Sequence, residues 1–561
     1  MKERYIELME KALSAYTDEH IQRYFDDVRR DGLTEHGFPR LTADIGILIA
    51  HGRRHDLLPR FIEMMDFCCD QIPRVKAAND FSVREIICAL WEVEESTAVP
   101  KDMKEMTERW RASLASIEPT QCYNEFATSP TDGVRNWALF SAVSEYFRQK
   151  AGLCDSSDFI ELQLLQQLQW FDEKGMYQDK KADAYHQPIM YDLVPRGLFA
   201  LLLDQGYRGE QYSVIDEILK KAALLTLDTQ SPNGEMAYGG RSNQFVHNEA
   251  WMIAVYEYEA KRYAREGNTA LAARFKAASV RALAVSEKWL SKDPILHIKN
   301  RFPTETKYGC ERYAYFDKYM ITVVSNLYAA YLICDDSIPF EETEDQEGCV
   351  ASTSEHFHKL FVKGGGYGLE FDLNADPEYD ANGLGRIQRQ GAPSAICLAC
   401  PCPSKPRYTV DIAPVAMSLC SATYEQSEWT FGAQSDTKYE LVDSAAKNNS
   451  ASAELVCRFD NGKSVREGYK VSKKGVSVKL RGKGKLGFAL PAFCFDGETS
   501  PDIVVKKHSL SISYDGWTCR YTTRGIIIDT QKTAANRNGH YKVFLATGKN
   551  ALGVKIEITQ K

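Results

Sequence analysis

No stretch of the 561-residue chain approaches the roughly 18 uninterrupted apolar residues of a membrane-spanning helix. The opening Met1-Lys-Glu-Arg-Tyr-Ile-Glu-Leu carries charges every few residues where a secretory signal needs an apolar run. The expectation is a cytoplasmic protein without membrane contact. A basic excess is lacking too: 69 Lys and Arg against 77 Asp and Glu give a net charge of −8. That balance leaves no electrostatic footprint for nucleic acid, so an anionic ligand has to be held by local arginines. There is no Walker loop, no dinucleotide fingerprint and no nucleophile elbow. The 15 cysteines are odd in number and scattered through helical and strand-like text, which fits a reducing compartment better than a disulfide framework. Cys397-Leu-Ala-Cys400-Pro-Cys402 has zinc-like spacing, but only Cys420 follows it, and His356-Phe-His358 is a pattern more often structural than metal-binding. Neither metal nor cofactor is expected.

What is present is ordinary globular usage, 44% hydrophobic and 26% charged, in a chain long enough for two or three cores. Up to Cys334 apolar residues recur at helical spacing. Helices are predicted over Glu3–Asp27, Arg40–Gly52, Leu57–Gln71, Val83–Glu94, Asp102–Ser116, Gly133–Lys150, Asp158–Asp172, Pro188–Gln205, Tyr212–Asp228, Gln244–Glu266, Asn268–Leu290 and Ala314–Cys334. Short Gly, Pro, Asn or Asp connections pair them as hairpins, about six in all. Such a set closes into an (α/α) toroid or stays an open solenoid. The closed form is preferred, because the longest connections hold the polar, glycine-rich and aromatic residues expected at the mouth of a barrel.

An acidic run then separates a toroid domain, residues 1–336, from residues 349–561, with 337–348 as linker. Past it the period becomes 2, with strands predicted at Lys359–Phe371, Ser394–Cys400, Tyr408–Ile412, Lys438–Val442, Ala453–Phe459, Gly475–Leu480, Leu510–Tyr514, Gly525–Thr530 and Tyr541–Ala546. Many short strands without intervening helices imply an antiparallel β-sandwich.

The most informative stretch is Asn233-Gly-Glu-Met-Ala-Tyr-Gly-Gly-Arg-Ser-Asn-Gln-Phe-Val-His-Asn-Glu249. Its first half is a glycine-rich loop and its second half enters a helix. Glu235, Arg241, His247, Asn248 and Glu249 crowd around that helix start, where the dipole favours anions, and Ser242 or Asn243 is placed to cap it. A second constellation, Lys307-Tyr308-Gly-Cys-Glu311-Arg312-Tyr313-Ala-Tyr315-Phe-Asp317-Lys318-Tyr319, sets four tyrosines among five charges. Tyrosine stacks on sugar rings, and beside Lys or Arg its phenol can act as acid or base. Asn136 and Trp137 open one helix and Tyr191 another, while Arg386 and Arg389 stand in a long polar loop ahead of a strand, in reach of an acidic sugar across the domain interface.

The order of these pieces resembles the heparinase II/III-like group of toroid-plus-sandwich polysaccharide lyases. In that group an Asn opens a toroid helix, an aromatic Glu-containing segment follows, and the sandwich supplies a His-containing loop. Ser-Asn243-Gln-Phe and Tyr-Gly-Cys-Glu311-Arg-Tyr-Ala-Tyr315 stand at comparable places. Gln244 occupies the place of the expected His, the Ser-x-x-Tyr-His spacing is absent, and the sandwich loop offers Gln388. The carboxylates also look like those of toroidal hydrolases such as the β-glucuronidases of glycoside hydrolase family 154. Two chemistries follow from these resemblances. The first is an exo-acting glycoside hydrolase removing terminal uronic acid, with Glu235 and Glu249 or Glu311 as its carboxylate pair. The alternative is a β-eliminating lyase using Tyr315, His247 and Asn243. In either, Arg241, Asn243, Asn248, Tyr308, Arg312, Asn136, Trp137, Tyr191, Arg386 and Arg389 are the expected contacts to a uronate-containing oligosaccharide, and a homo-oligomer is compatible with both.

Overall fold

A computed structural model describes residues 1–77, 79–100, 103–124, 136–179, 186–341 and 347–561. The chain is helical first and antiparallel sheet afterwards. The helices among the described residues are α1 (Lys2–Leu13), α2 (Asp18–Asp31), α3 (Gly37–Ala50), α4 (Leu58–Gln71), α5 (Val83–Glu95), α6 (Lys104–Ala115), α7 (Pro119–Cys122), α8 (Asn136–Lys150), α9 (Ser157–Leu168), α10 (Ile189–Asp204), α11 (Tyr212–Thr229), α12 (His247–Arg265), α13 (Thr269–Leu290) and α14 (Phe316–Ile333). None is long and apolar enough to cross a membrane.

Six helices pack in cyclic succession: α3 on α5, α5 on α8, α8 on α10, α10 on α12, α12 on α14, and α14 back on α3. Composition explains which ones lie inside. Along α3 and α10 almost every side chain is buried, whatever its angular position, whereas α2 buries only Ile21, Phe25 and Val28, the single stripe of an outer helix. Helices α1, α4, α9, α11 and α13 cover the ring from outside. Its interior holds buried charge: Arg40 on α3 donates to both oxygens of Glu85 on α5, at 3.0 and 3.2 Å, and Ser325 on α14 donates to Glu85 at 2.7 Å.

The first predicted helix, Glu3–Asp27, is in fact two, because Thr17 accepts the amide of His20 and starts a new helix. The predicted starts at Asp102 and Gly133 lie outside the described residues.

The sheet half has two parts. One sheet runs in order β1 (Cys349–Ser352), β2 (Lys359–Gly364), β3 (Tyr367–Asp372) and β4 (Gly383–Arg389). The other holds β5 (Ser421–Glu425), β6 (Glu428–Phe431), β7 (Lys438–Lys447), β8 (Ser450–Arg458), β9 (Ser464–Ser472), β10 (Gly475–Phe495), β11 (Asp502–Lys506), β12 (Ser509–Tyr514), β13 (Trp517–Thr523), β14 (Ile526–Asn536) and β15 (Gly539–Gln560). All its pairings are antiparallel, and the long β10 and β15 pair along most of their length. The small sheet packs on β7–β9, and apolar side chains from both sheets make one core. The predicted strand Lys359–Phe371 is the β2–β3 hairpin, turning at Gly365-Gly366, both at positive φ. Ser394–Cys397 is a single 3-10 turn, and Tyr408 and Thr409 make only isolated bridges, to Glu311 and Tyr308. Part of the proposed linker, 342–346, lies outside the described residues.

Candidate functional site at the mouth of the helical ring

The first turns of the six inner helices lie together. Arg40 of α3 donates to Thr322 of α14 at 2.9 Å, and the His247 ring of α12 meets the Tyr319 ring of α14 edge-on at 5.0 Å. Trp137 of α8 rests edge-on against Phe81, just ahead of α5, at 5.3 Å. Tyr191 of α10 places its hydroxyl 3.1 Å from Ser242 Oγ, just ahead of α12. One end of the ring therefore collects the positive ends of six helix dipoles, a setting that favours an anion.

The loop from Tyr238 to Gln244 crosses this mouth in a conformation that its sequence and its neighbours force. Gly239 and Gly240 sit at φ +147° and +74°, and a Cβ on Gly240 would lie 2.8 Å from the Cα of Pro188. Ser242 and Gln244 also adopt positive φ, +55° and +65°, which is strained for residues with a Cβ. Charges from the small sheet clamp the loop. Glu370 accepts the amide of Tyr238 at 2.7 Å, Asp380 accepts that of Gly240 at 2.8 Å, and Arg386 donates to the carbonyl of Met236 at 2.8 Å. Burial pushes Glu370 up to about 7 and Asp380 up to about 6, against the pull of nearby cations.

Ser242 is the centre of the mouth. Its Oγ lies 3.1, 3.3 and 3.0 Å from the hydroxyls of Tyr191, Tyr313 and Tyr319, and its amide donates to Glu311 Oε1 at 2.6 Å. Burial pushes all three phenols above the ordinary tyrosine value. Arg241 stacks its guanidinium over the Tyr191 ring at 4.3 Å and pairs with Asp179, which also accepts from Asn136 at 2.6 Å. The opening is lined by half-exposed aromatics, Trp137 at 38% and Tyr313 at 41%. Tyr315, 47% exposed, lies between Lys307 and Lys318, whose ammonium groups are 5.4 and 5.7 Å from its ring. From the sheet half, the His358 ring comes to 5.7 Å from that of His186, and Gln187, immediately ahead of the Pro188 that abuts Gly240, donates its amide to the His356 carbonyl, 2.9 Å away. Burial and His186 hold His358 below the ordinary imidazole value.

Arg241, Tyr191, Asn136 and Trp137 are thus brought together, along with Ser242, Tyr313 and Tyr319, which lie inside the two segments singled out in the sequence but were given no part in substrate binding or catalysis there. Asp179 lies in neither segment, and nothing local in the sequence marks it. Other expected residues are placed elsewhere. Helix α12 begins at His247, not Gln244, and neither Ser242 nor Asn243 caps it. Asn243 donates to the Ala237 carbonyl, and Asn248 holds the loop through the Phe245 amide and the Ser242 carbonyl. His247 is buried behind Tyr319, and burial holds it down to about 3. Tyr308 is buried and stacked on Phe302 at 3.6 Å, while Arg312 is exposed. Arg386 and Arg389 stand in strand β4, not in a loop. Arg386 is spent on Ala399, Met236 and Glu370, and Arg389 on the Gly365 carbonyl and the Tyr367 ring.

The three glutamates are each tied to a cation in the walls. Glu311 takes both ends of the Arg537 guanidinium, at 2.5 and 2.9 Å. Glu249, wholly buried, takes Lys299 at 2.6 Å, and burial raises it above the ordinary carboxyl value despite that lysine. Glu235 accepts from Ser394 at 2.7 Å and Gln388 at 2.8 Å; burial would raise it, but Lys299 and Arg386 outweigh that and hold it low. Glu235 lines a cavity that contains neither Arg241 nor the three tyrosines. Among the described residues no cluster of His, Cys, Asp and Glu is arranged to hold a metal.

No family model and no curated protein matches the chain. Solved structures similar to it include a mutant of the heparan sulfate lyase HepC from Pedobacter heparinus, 11% identical over 93% of this chain and 76% of that one, with a TM-score of 0.43. A heparinase III is 10% identical over 93% and 76%, with a TM-score of 0.47. The baculovirus envelope chondroitin lyase ODV-E66 is 8% identical over 92% and 76%, with a TM-score of 0.44. At such values the likeness decides nothing about this chain's chemistry.

Proposed function

We propose that the protein is a lyase that breaks uronate-containing glycans by β-elimination at the mouth of a six-hairpin helical toroid, where the ring faces the small sheet of a β-sandwich. One observation carries the reading: Arg241 and three phenols are gathered at Ser242, at the positive ends of six helices, while Glu235, Glu249 and Glu311 are each held by a cation in the walls. Elimination needs a group that neutralises the uronate carboxylate, an acceptor for the C5 proton and a donor for the leaving oxygen. It needs no pair of opposed carboxylates, which glycoside hydrolysis ordinarily does.

In this scheme Arg241 meets the carboxylate, exchanging part of its contact with Asp179 for the substrate. The neutral imidazole of His358 takes the C5 proton. The C4–O bond breaks as the C4–C5 double bond forms, and Tyr313, a phenol protonated at neutral pH, gives its proton to the leaving oxygen. Trp137 stacks on a neighbouring ring. The products distinguish the chemistries by mass: elimination adds no water, so the product masses sum to that of the substrate, whereas hydrolysis adds one water per cut. Products heavier by one water overturn the proposal.

A further inference from the structure

We infer that the cavity between the end of α13 and the sheet half is a second binding site, for a neutral sugar, independent of the Arg241 mouth. The cavity has a volume of about 780 Å³, the size of a ligand pocket. Its floor is made of four polar side chains, Glu235, Gln244, Lys299 and Asn538, all more than nine-tenths buried.

Charge at this floor cancels. Lys299 faces Glu249 at 2.6 Å, and Glu235 has Arg386 at 3.8 Å. What is left is hydrogen-bonding capacity of both kinds. Lys299 gives one of its three N–H groups to Glu249, and Glu235 presents carboxylate oxygens that each accept one bond already and have room for another. The amide of Gln244 is held in place from two sides, donating to Asn243 at 2.7 Å and accepting from Asn538 at 3.2 Å. In the wall, Gln390 Oε1 is buried with no partner among the described residues, an acceptor that a ligand hydroxyl would satisfy.

Hydroxyl groups both donate and accept, so a polyhydroxylated neutral molecule matches such a floor, whereas a uronate would set its charge beside Glu235. The walls add Trp289 and Tyr514, half-buried aromatics of the kind that stack on the C–H face of a pyranose. Across the two halves, Arg301 pairs with Glu498 at 3.1 Å and Lys288 with Asp515 at 3.8 Å, so these two rim cations are already matched by carboxylates.

The test is a titration of the full chain with cellobiose, maltose and lactose, and with glucuronic acid for comparison, followed by tryptophan fluorescence and saturation-transfer NMR. At least one neutral disaccharide is expected to bind saturably in the millimolar range or tighter. Trp289→Ala and Gln390→Leu should each weaken it by about tenfold or more, and Arg241→Ala should leave it unchanged. Melting curves of the variants report whether they fold. The inference is overturned if none of the three disaccharides binds saturably, or if binding survives both cavity variants, whatever Arg241→Ala does. Because the readout is binding of a neutral sugar, it stands or falls separately from the elimination chemistry.

Discussion

Glu311, in the segment leading into α14, is bound at both carboxylate oxygens by Arg537, 226 residues later in the turn between β14 and β15, and the same carboxylate receives the amide of Ser242. A buried ion pair between the two halves of the molecule thus sets the backbone at the centre of the mouth. Both side chains are 2% exposed, so removing one leaves an uncompensated buried charge. Arg537→Ala is expected to cost about 3–5 kcal/mol of stability by that mechanism, measured by urea denaturation. Loss of activity with stability unchanged would instead assign Glu311 a direct part in the chemistry.

Arg241 is the group expected to read the substrate's carboxylate. Arg241→Ala should lower kcat/KM on a uronate-containing glycan by about 10- to 100-fold, the worth of one charge-assisted hydrogen bond. Arg241→Lys, which keeps the charge but not the fork or the stacking on Tyr191, should recover only part of it. Equal activity in all three proteins excludes that role.

The Ser242 hub is expected to act on kcat more than on KM. Tyr313→Phe deletes the proposed proton donor and should reduce kcat by about 10²- to 10⁴-fold. Ser242→Gly removes the hydroxyl shared by three tyrosines at a residue whose φ of +55° glycine adopts without strain, so a fall in kcat there is not a folding effect. Steady-state kinetics on a soluble oligosaccharide, with melting curves alongside, decide both.

Acid should destabilise the molecule through His247. Its folded value of about 3 lies below that of an exposed imidazole, near 6.5, so as pH falls through the latter the unfolded chain takes up a proton that the folded one refuses. The stabilising contribution is complete above about pH 6.5 and is lost progressively toward pH 3, by about 2 kcal/mol at pH 5. Urea denaturation at pH 7.5 and 5.0 should show this extra loss in the native chain and not in His247→Leu.

Much of this was legible in the residues. The helical period to Cys334, the change to a period of 2 and the irregular loop at Gly-Gly-Arg-Ser were all readable, because periodicity and glycine-rich turns leave local marks. The β4 strand was not, since Gly-Leu-Gly-Arg-Ile-Gln-Arg buries an arginine and a glutamine that read as a solvated loop. The glutamates were misplaced for a related reason. A sequence shows which side chains can ionise, but Glu249 meets Lys299 and Glu311 meets Arg537 only once distant segments pack. His358 reaches His186 in the same way, across the two halves.

The most direct test of the central claim is the ultraviolet absorbance of the reaction mixture when the protein is incubated with heparan sulfate, chondroitin or another uronate-containing glycan. Elimination creates a conjugated enoate at each new non-reducing end, so absorbance should rise with time, about 10- to 100-fold more slowly in Arg241→Ala and about 10²- to 10⁴-fold more slowly in Tyr313→Phe. Release of saturated uronic acid with no rise in absorbance would contradict the account.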